Sequence, residues 1–571
     1  MRRLVALVSC VGMFAAPAIA ASQPASARVT IITMWSAADP QSSSADVRCL
    51  DVALRVPFEI GALARALRSH TGARFAIALS PSYASALACA GADPLAAPMH
   101  AAGGRSDSRT VDIVTLLAQM PPLTASAAAT TGGRELVALT STAQQWLASA
   151  STRISEDDLR RLTALNAIAR AANAGSPAAK TLFARPTAST ADLFKAADGL
   201  LRAQVESALR AGRDAVARGA LEFVAAPDGS PVLPLLVDSG GKTMFEPTVM
   251  PLNASSDAGV FVADALGAAS ALDDRRGSGL LAPFGAYDDA SAQLIAARGA
   301  RFAIFSDRVL QTSQAGGSVA ALDAAQASPY LAYGLQIGKT ATLPLFFWAD
   351  DVSRALEALP TSLPPGAFAS RMMADATAAG ATSSDGSARV LTLRLELAGP
   401  WANRPDAEAI VDRVASFLAR SRATTPSGYL AASRTLTSVY GFAPGSTLGE
   451  LDAFTASPNQ AAMWAALAQA REAAGGDAAL KTPAIREALL RVESGRWFLA
   501  PTLPLVQSNV KALIDEFRAD VRAVYAAAGK PAPAQIAPMR PNTPASPTPS
   551  PRPSTAPKLS TRPVNMWRTG V

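Results

Sequence analysis

The sequence predicts an α/β protein with a separate helical domain at its C-terminal side. Three observations carry this. Over residues 29–401, short strand-like runs alternate with helical ones, the pattern of a parallel sheet with crossover helices. Beyond residue 402 the periodicity turns helical. At 571 residues the chain is also too long for one ordinary core.

Residues 29–34 read as the first strand, and a helix over 57–69 precedes a second strand at 75–79 that closes on Ser80-Pro81-Ser82. Residues 101–109, AAGGRSDSR, make a flexible loop. Ser155 to Asp158 form a capping box in which Asp replaces the usual Glu, so a helix starts there. A long amphipathic helix over 192–219 ends in glycine, and a short strand at 221–225 follows it. Leu280-Leu281 leads into a helix over 288–299 with an Asp cap and a Gly stop, then a strand at 302–305. The alternating run VLTLRLEL, 390–397, is a late strand. Helices are expected over 405–421, 459–474, 483–494 and 507–528, forming a domain from 402 to 529.

The first 20 residues combine Arg2 and Arg3, an apolar run and an Ala18-Ile19-Ala20 end, the pattern of a secretory signal peptide cleaved after Ala20 or after Ala27. Leu7-Val8-Ser9-Cys10 also fits a lipoprotein box, although it lies close to the start. No later run is long enough to span a bilayer. The expected location is therefore periplasmic or extracellular, where Cys49 and Cys89 either form a disulfide or remain two buried thiols.

The formal charge of +7 comes from the ends. Arg2, Arg3 and six basic residues from Lys530 onward account for eight of 52 Lys+Arg, which leaves 44 against 45 Asp+Glu. Such a neutral body lacks the basic face of a nucleic-acid groove. Residues 530–571 are rich in Pro, Ser and Thr and have little to bury, so they read as a disordered basic tail. This tail is either a solvated linker or a contact for an anionic envelope polymer. No phosphate-cradling glycine run and no Cys/His cluster occurs, so neither a cofactor nor a metal is expected. The two histidines, His70 and His100, read as structural.

The stretch GALEFVAAPDGSPVLPLLVDS, 219–239, carries the strongest motif. Its frame of Gly219, Glu222, Pro227, Pro231, Leu233, Pro234, Leu235 and Asp238 resembles the second sequence block of glycoside hydrolase family 57, in its amylopullulanase-like branch. Further matches fall in the same order along the chain. They are Phe75 to Ser82, Leu345 to Ser353, Thr424 to Leu430, Glu493 to Phe498, and Phe517 to Pro531. The resemblance implies an incomplete seven-stranded (β/α) barrel over 28–401 followed by the helical domain. It also implies an ancestry among retaining enzymes of α-glucans, in which two carboxyl groups about 5–5.5 Å apart act as nucleophile and acid/base.

Position by position, the chemistry is altered. The family's Trp-His-x-His-Gln-Pro block aligns with Trp35-Ser36-Ala37-Ala38-Asp39-Pro40, which lacks both histidines. The Tyr-Tyr-His of the second block has become Asp228-Gly229-Ser230. The nucleophilic Glu aligns with Phe284, and a phenyl ring cannot form a glycosyl ester. Glu396 stands where the acid/base Asp belongs, and the neighbouring carboxylate is Ala398.

Asp307, after a strand end, and Asp288 are the candidates for a relocated nucleophile, although Asp288 also suits a helix cap and Asp307 a pairing with Arg308. Trp35, Trp348 and Trp401 read either as core or as a saccharide-stacking platform with Ser230 nearby. The expected function is an exported protein that binds a polysaccharide or another envelope partner with catalysis lost. The alternative is an active retaining α-glucan hydrolase or transferase that uses Glu396 and a relocated nucleophile.

Overall fold

The computed structural model describes residues 29–537, apart from 41–43, 93, 96–106, 120, 122, 150–152, 240–251, 274–277, 316–327, 340, 359–362, 382–388, 398–399, 433–435 and 500–506. The signal segment, the tail beyond 537, His100, most of the 101–109 loop and Ala398 lie outside the described residues.

Ten strands form one sheet: β1 Val29–Ser36, β2 Phe75–Leu79, β3 Leu221–Ala225, β4 Leu280–Leu281, β5 Ala303–Ser306, β6 Tyr333–Ile337, β7 Ala341–Trp348, β8 Arg389–Glu396, β9 Arg422–Thr424 and β10 Thr437–Val439. Seven of them run parallel in the order β1–β2–β3–β4–β5–β7–β8, and β8 returns to β1 along its whole length, Val29 opposite Arg389 through Ser36 opposite Glu396. This is the expected (β/α)7 barrel. Outside the ring, β6 lies antiparallel to β7 and carries β10, while β9 pairs with the first half of β1.

The seam between β7 and β8 holds one residue pair, Trp348 opposite Thr392. The Ala349 amide donates to the Thr392 carbonyl at 2.9 Å. Beyond it, the β8 amides turn to side chains of the helix Asp350–Glu357. Arg394 N donates to Ser353 Oγ at 3.1 Å, and Glu396 N donates to Glu357 Oε1 at 2.7 Å. The spacing matches: two strand residues span about 6.7 Å, four helical residues about 6 Å. Buried amides thus stay paired where the second strand runs out.

Alternation sorts the side chains. Ile32, Met34, Ala76, Ala78, Val224, Ile304, Phe346 and Trp348 fill the barrel interior. Glu222, 3% exposed, accepts from the Ser427 amide at 3.0 Å and from its hydroxyl, capping the helix Pro426–Ala432 that closes the barrel's base. A structural task therefore accounts for a carboxylate of the strongest motif.

Most expected helices are present. The capping box at Ser155 and Asp158 opens Glu156–Asn173, and Asp288 caps Asp289–Ala297. One expectation needs correction. Pro57 does not start a helix but lies inside Ala45–Glu59, and Gly61–Ser69 follows as a separate helix. The buried stripe of Val47, Leu50 and Leu54 continues to Pro57, so packing outweighs the proline's missing N–H.

Cys49 and Cys89 form a disulfide that ties this helix to Pro81–Ala90, with Cα atoms 5.7 Å apart. The segment from 402 is not purely helical, because β9 and β10 join the sheet and Ile410, Val411 and Val414 share the barrel's outer core. The helical layer proper contains Pro458–Ala474, Pro483–Val492 and Gln507–Ala527. It is joined to Ser255–Asp273 by the buried ion pair Arg471–Asp257, 2.7 Å.

Candidate functional site

The loops leaving β1 to β4 meet the helical layer around a cavity of ≈ 650 Å³. Asp39 follows β1, Ser82 follows β2, Asp228 and Ser230 follow β3, and Phe284 follows β4, while Arg491 and Ser494 face them from the layer. A concave site at the C-terminal ends of barrel strands is where such folds hold ligands.

Two carboxylates stand at one end of this cavity. Asp39 Oδ2 accepts from the Gly229 amide at 2.9 Å. Asp228 accepts from the Ser82 amide and from the Ser82 hydroxyl, each at 2.9 Å. The Ser80 hydroxyl lies beside both carboxyl groups and lowers each of them. Burial, and next the charge of Asp228, push the Asp39 carboxyl up to about 6. Burial also raises Asp228, against its serine bonds and the Arg48 charge. A pair of this kind can accept hydrogen bonds from hydroxyl groups and can hold or release a proton near neutrality.

Strained turns form part of the same wall. Phe284 has φ 52° and Ser230 φ 49°, beside Gly285 at 57° and Gly229 at 65°. Non-glycine residues held in this left-handed region cost roughly 1–3 kcal/mol each and cluster at functional sites. The Phe284 ring packs on Phe454, centroids 5.2 Å apart, and the helical layer presses close through Gly495. A Cβ there would lie 2.3 Å from the Ser230 carbonyl and 2.4 Å from the Phe284 ring. Ser494 Oγ and the Gly495 amide donate to the Gly229 carbonyl at 2.7 and 3.1 Å, fixing the layer to the β3 loop.

Phe284 and Ser230 thus lie on the cavity. The other predicted residues do not line it. Glu396 ends β8 on the interior-facing parity, where Arg394 pairs with it and also lies 5.2 Å from the Trp348 ring centroid. Asp307 ends β5 and accepts from the Asp350 amide at 3.1 Å. Burial raises its carboxyl to about 6, with Asp350 and Asp351 adding to the rise. Asp288 spends its side chain on the Ser291 amide at 2.8 Å.

The tryptophan platform needs correction. Trp35, Trp348 and Trp401 are 0%, 1% and 2% exposed. Trp35 and Trp401 pack on each other outside the barrel, 5.4 Å apart, and Trp348 fills the interior. A ring without a free face cannot stack on a sugar.

The sequence reading passed over Asp39 and Asp228. They stand in the first block and in the altered second block, where they replace family residues and match no carboxylate of the family pattern. Among the described residues, no group of three or more His, Cys, Asp or Glu is placed to hold a metal ion, and no helix is long and apolar enough to cross a membrane.

No protein-family model matches the chain, and no curated protein matches it in sequence. Solved structures do. The GH57-type branching enzyme from Pyrococcus horikoshii superposes with a TM-score of 0.53 at 12% identity, over 90% of this chain and 100% of that one. The fold is that of glycoside hydrolase family 57. The GH57 branching enzyme from Thermococcus kodakaraensis gives 0.52 at 10% identity, covering 88% and 89% of the two chains. An alpha-amylase from Thermotoga maritima gives 0.50 at 9%, covering 88% and 93%. The family 57 frame is therefore present over nearly the whole described chain, in strongly diverged sequence.

Proposed function

We propose that this is an exported carbohydrate-binding protein that uses the family 57 fold to hold a saccharide without cleaving it. One observation carries the reading: the ≈ 650 Å³ cavity persists, while the left-handed turn at its wall presents the phenyl ring of Phe284. Retaining hydrolysis needs two carboxyl groups about 5–5.5 Å apart. Asp307, Asp288 and Glu396 are each engaged elsewhere, whereas Asp39 and Asp228 offer acceptors for sugar hydroxyls at the cavity. The signal-like first 20 residues and the Cys49–Cys89 disulfide support export to an oxidising compartment. A polysaccharide of the envelope or an α-glucan is the partner class.

The test pairs calorimetry on maltoheptaose with reducing-sugar release from starch, glycogen and pullulan. Saturable binding without turnover is expected, weakened at least tenfold in Asp39→Asn/Asp228→Asn, since bonds to charged acceptors are worth about 1.5–3 kcal/mol. Turnover abolished by Glu396→Gln would overturn the reading. Binding that the double variant leaves untouched would place the ligand outside this cavity.

A further inference from the structure

A second, smaller cavity of ≈ 80 Å³ lies apart from the first. The helices Ala45–Glu59, Gly61–Ser69 and Glu156–Asn173 and the start of Ala407–Ala419 surround it. At about 30 Å³ for each water, it has room for something the size of two or three waters. Three arginines line it, Arg65, Arg170 and Arg404, with one carboxylate, Glu408. Arg65 already holds that carboxylate at 2.7 Å.

Of the other two cations, Arg404 has a counter-charge but one open arm, and Arg170 has no ion pair among the described residues. Arg404 is 8% exposed; its Nε and Nη2 bind Asp406 at 2.7 Å each, and Nη2 also donates to the Leu363 carbonyl at 2.6 Å. Its Nη1 is buried with no hydrogen-bond partner. Arg170 makes no ion pair among the described residues, and its Nε donates to the Asn166 side chain at 2.8 Å. Burial lowers its pKa to about 10; the like charge of Arg55 adds to the fall, while Asp51 and Glu59 oppose it. The helix Ala407–Ala419 begins at the cavity without a side-chain cap hydrogen bond, and its N-terminal Asp406 and Glu408 are each paired with an arginine.

We infer that this cavity is an oxyanion site for a phosphate or sulfate group, either free or as a monoester on a saccharide. A buried guanidinium without a counter-charge is costly. A tetrahedral oxyanion would give Arg170 a counter-charge and Arg404 Nη1 an acceptor, and it fits the volume. The inference does not depend on saccharide binding in the larger cavity.

The test follows thermal unfolding of the full chain with potassium phosphate, potassium sulfate, glucose 6-phosphate and, at matched ionic strength, potassium chloride. A saturable rise with phosphate or sulfate beyond chloride is expected, because a ligand of the folded state stabilises it in proportion to occupancy. Arg170→Gln should weaken the apparent affinity at least tenfold. Arg404 also ties down Asp406 and Leu363, so Arg65→Gln, on a half-exposed helix face, serves as the second variant. Tighter binding of glucose 6-phosphate than of phosphate marks the monoester as the ligand, and equal affinity marks the free ion. A rise that follows ionic strength alike in all salts, or a saturable rise unchanged in both variants, overturns the site.

Discussion

Glu493 is the most informative residue to perturb. It is 0% exposed, and neither carboxyl oxygen has a hydrogen-bond donor facing it. Its neighbour Asp257 is also 0% exposed and accepts from Arg471, with Nε at 3.2 and 3.1 Å and Nη2 at 2.7 Å. Burial first, and then the Asp257 charge, push the Glu493 carboxyl well above the usual range. Glu493 is satisfied only when it keeps its proton and donates it to Asp257.

The sign follows directly. The unfolded chain loses this proton near 4.5 while the folded chain retains it. Stability from this group is therefore complete below 4.5 and falls as pH rises toward the folded value, by about 1.4 kcal/mol for each pH unit. Glu493→Gln has the same shape, donates to Asp257 through its amide nitrogen and does not titrate. Urea unfolding followed by tryptophan fluorescence, at whole pH units from 5 to 8, should show the variant gaining on the parent as pH rises, until the folded pKa is passed. A gap that stays constant across the series would refute a protonated Glu493.

Four further outcomes are expected. Replacing Cys49 and Cys89 by Ala removes a closed loop of 40 residues and should cost about 4 kcal/mol, read as a lower unfolding midpoint that no longer responds to reductant. Arg471→Met strands the Asp257 charge and should cost about 3–5 kcal/mol in the same assay. Gly495→Ala forces a methyl against the Ser230 carbonyl and the Phe284 ring, and should cost about 1–3 kcal/mol and reduce saccharide affinity, measured by urea unfolding and by calorimetry. Saccharide affinity should rise with pH through about 6 as the Asp39 carboxyl ionises, and the calorimetric profile of Asp39→Asn should be flat there.

The fold was legible where local chemistry is strong. Caps at Ser155 and Asp288, glycine stops at Gly219 and Gly299, and the order of the motif blocks all reappear in three dimensions. Helices such as Thr131–Ala148 escaped notice because Gly132, Gly133 and scattered alanines blur the 3.6-residue pattern. Strand parity held an unused clue: Ile32 and Met34 point inward, so Trp35 between them must face the outer layer, away from any mouth. The carboxylate pair was harder to see. Asp39 and the Gly229 amide that holds it are 190 positions apart, and the parallel pairing of β1, β2 and β3 brings their loops together.

The β7–β8 seam has a consequence of its own. A short helix there does the work of a missing strand, with a hydroxyl at 353 and a carboxylate at 357 serving as the rungs. Wall and crossover are thus one mechanical part. Because both rungs are side chains, displacing that helix would leave the β8 amides beside Glu396 without acceptors.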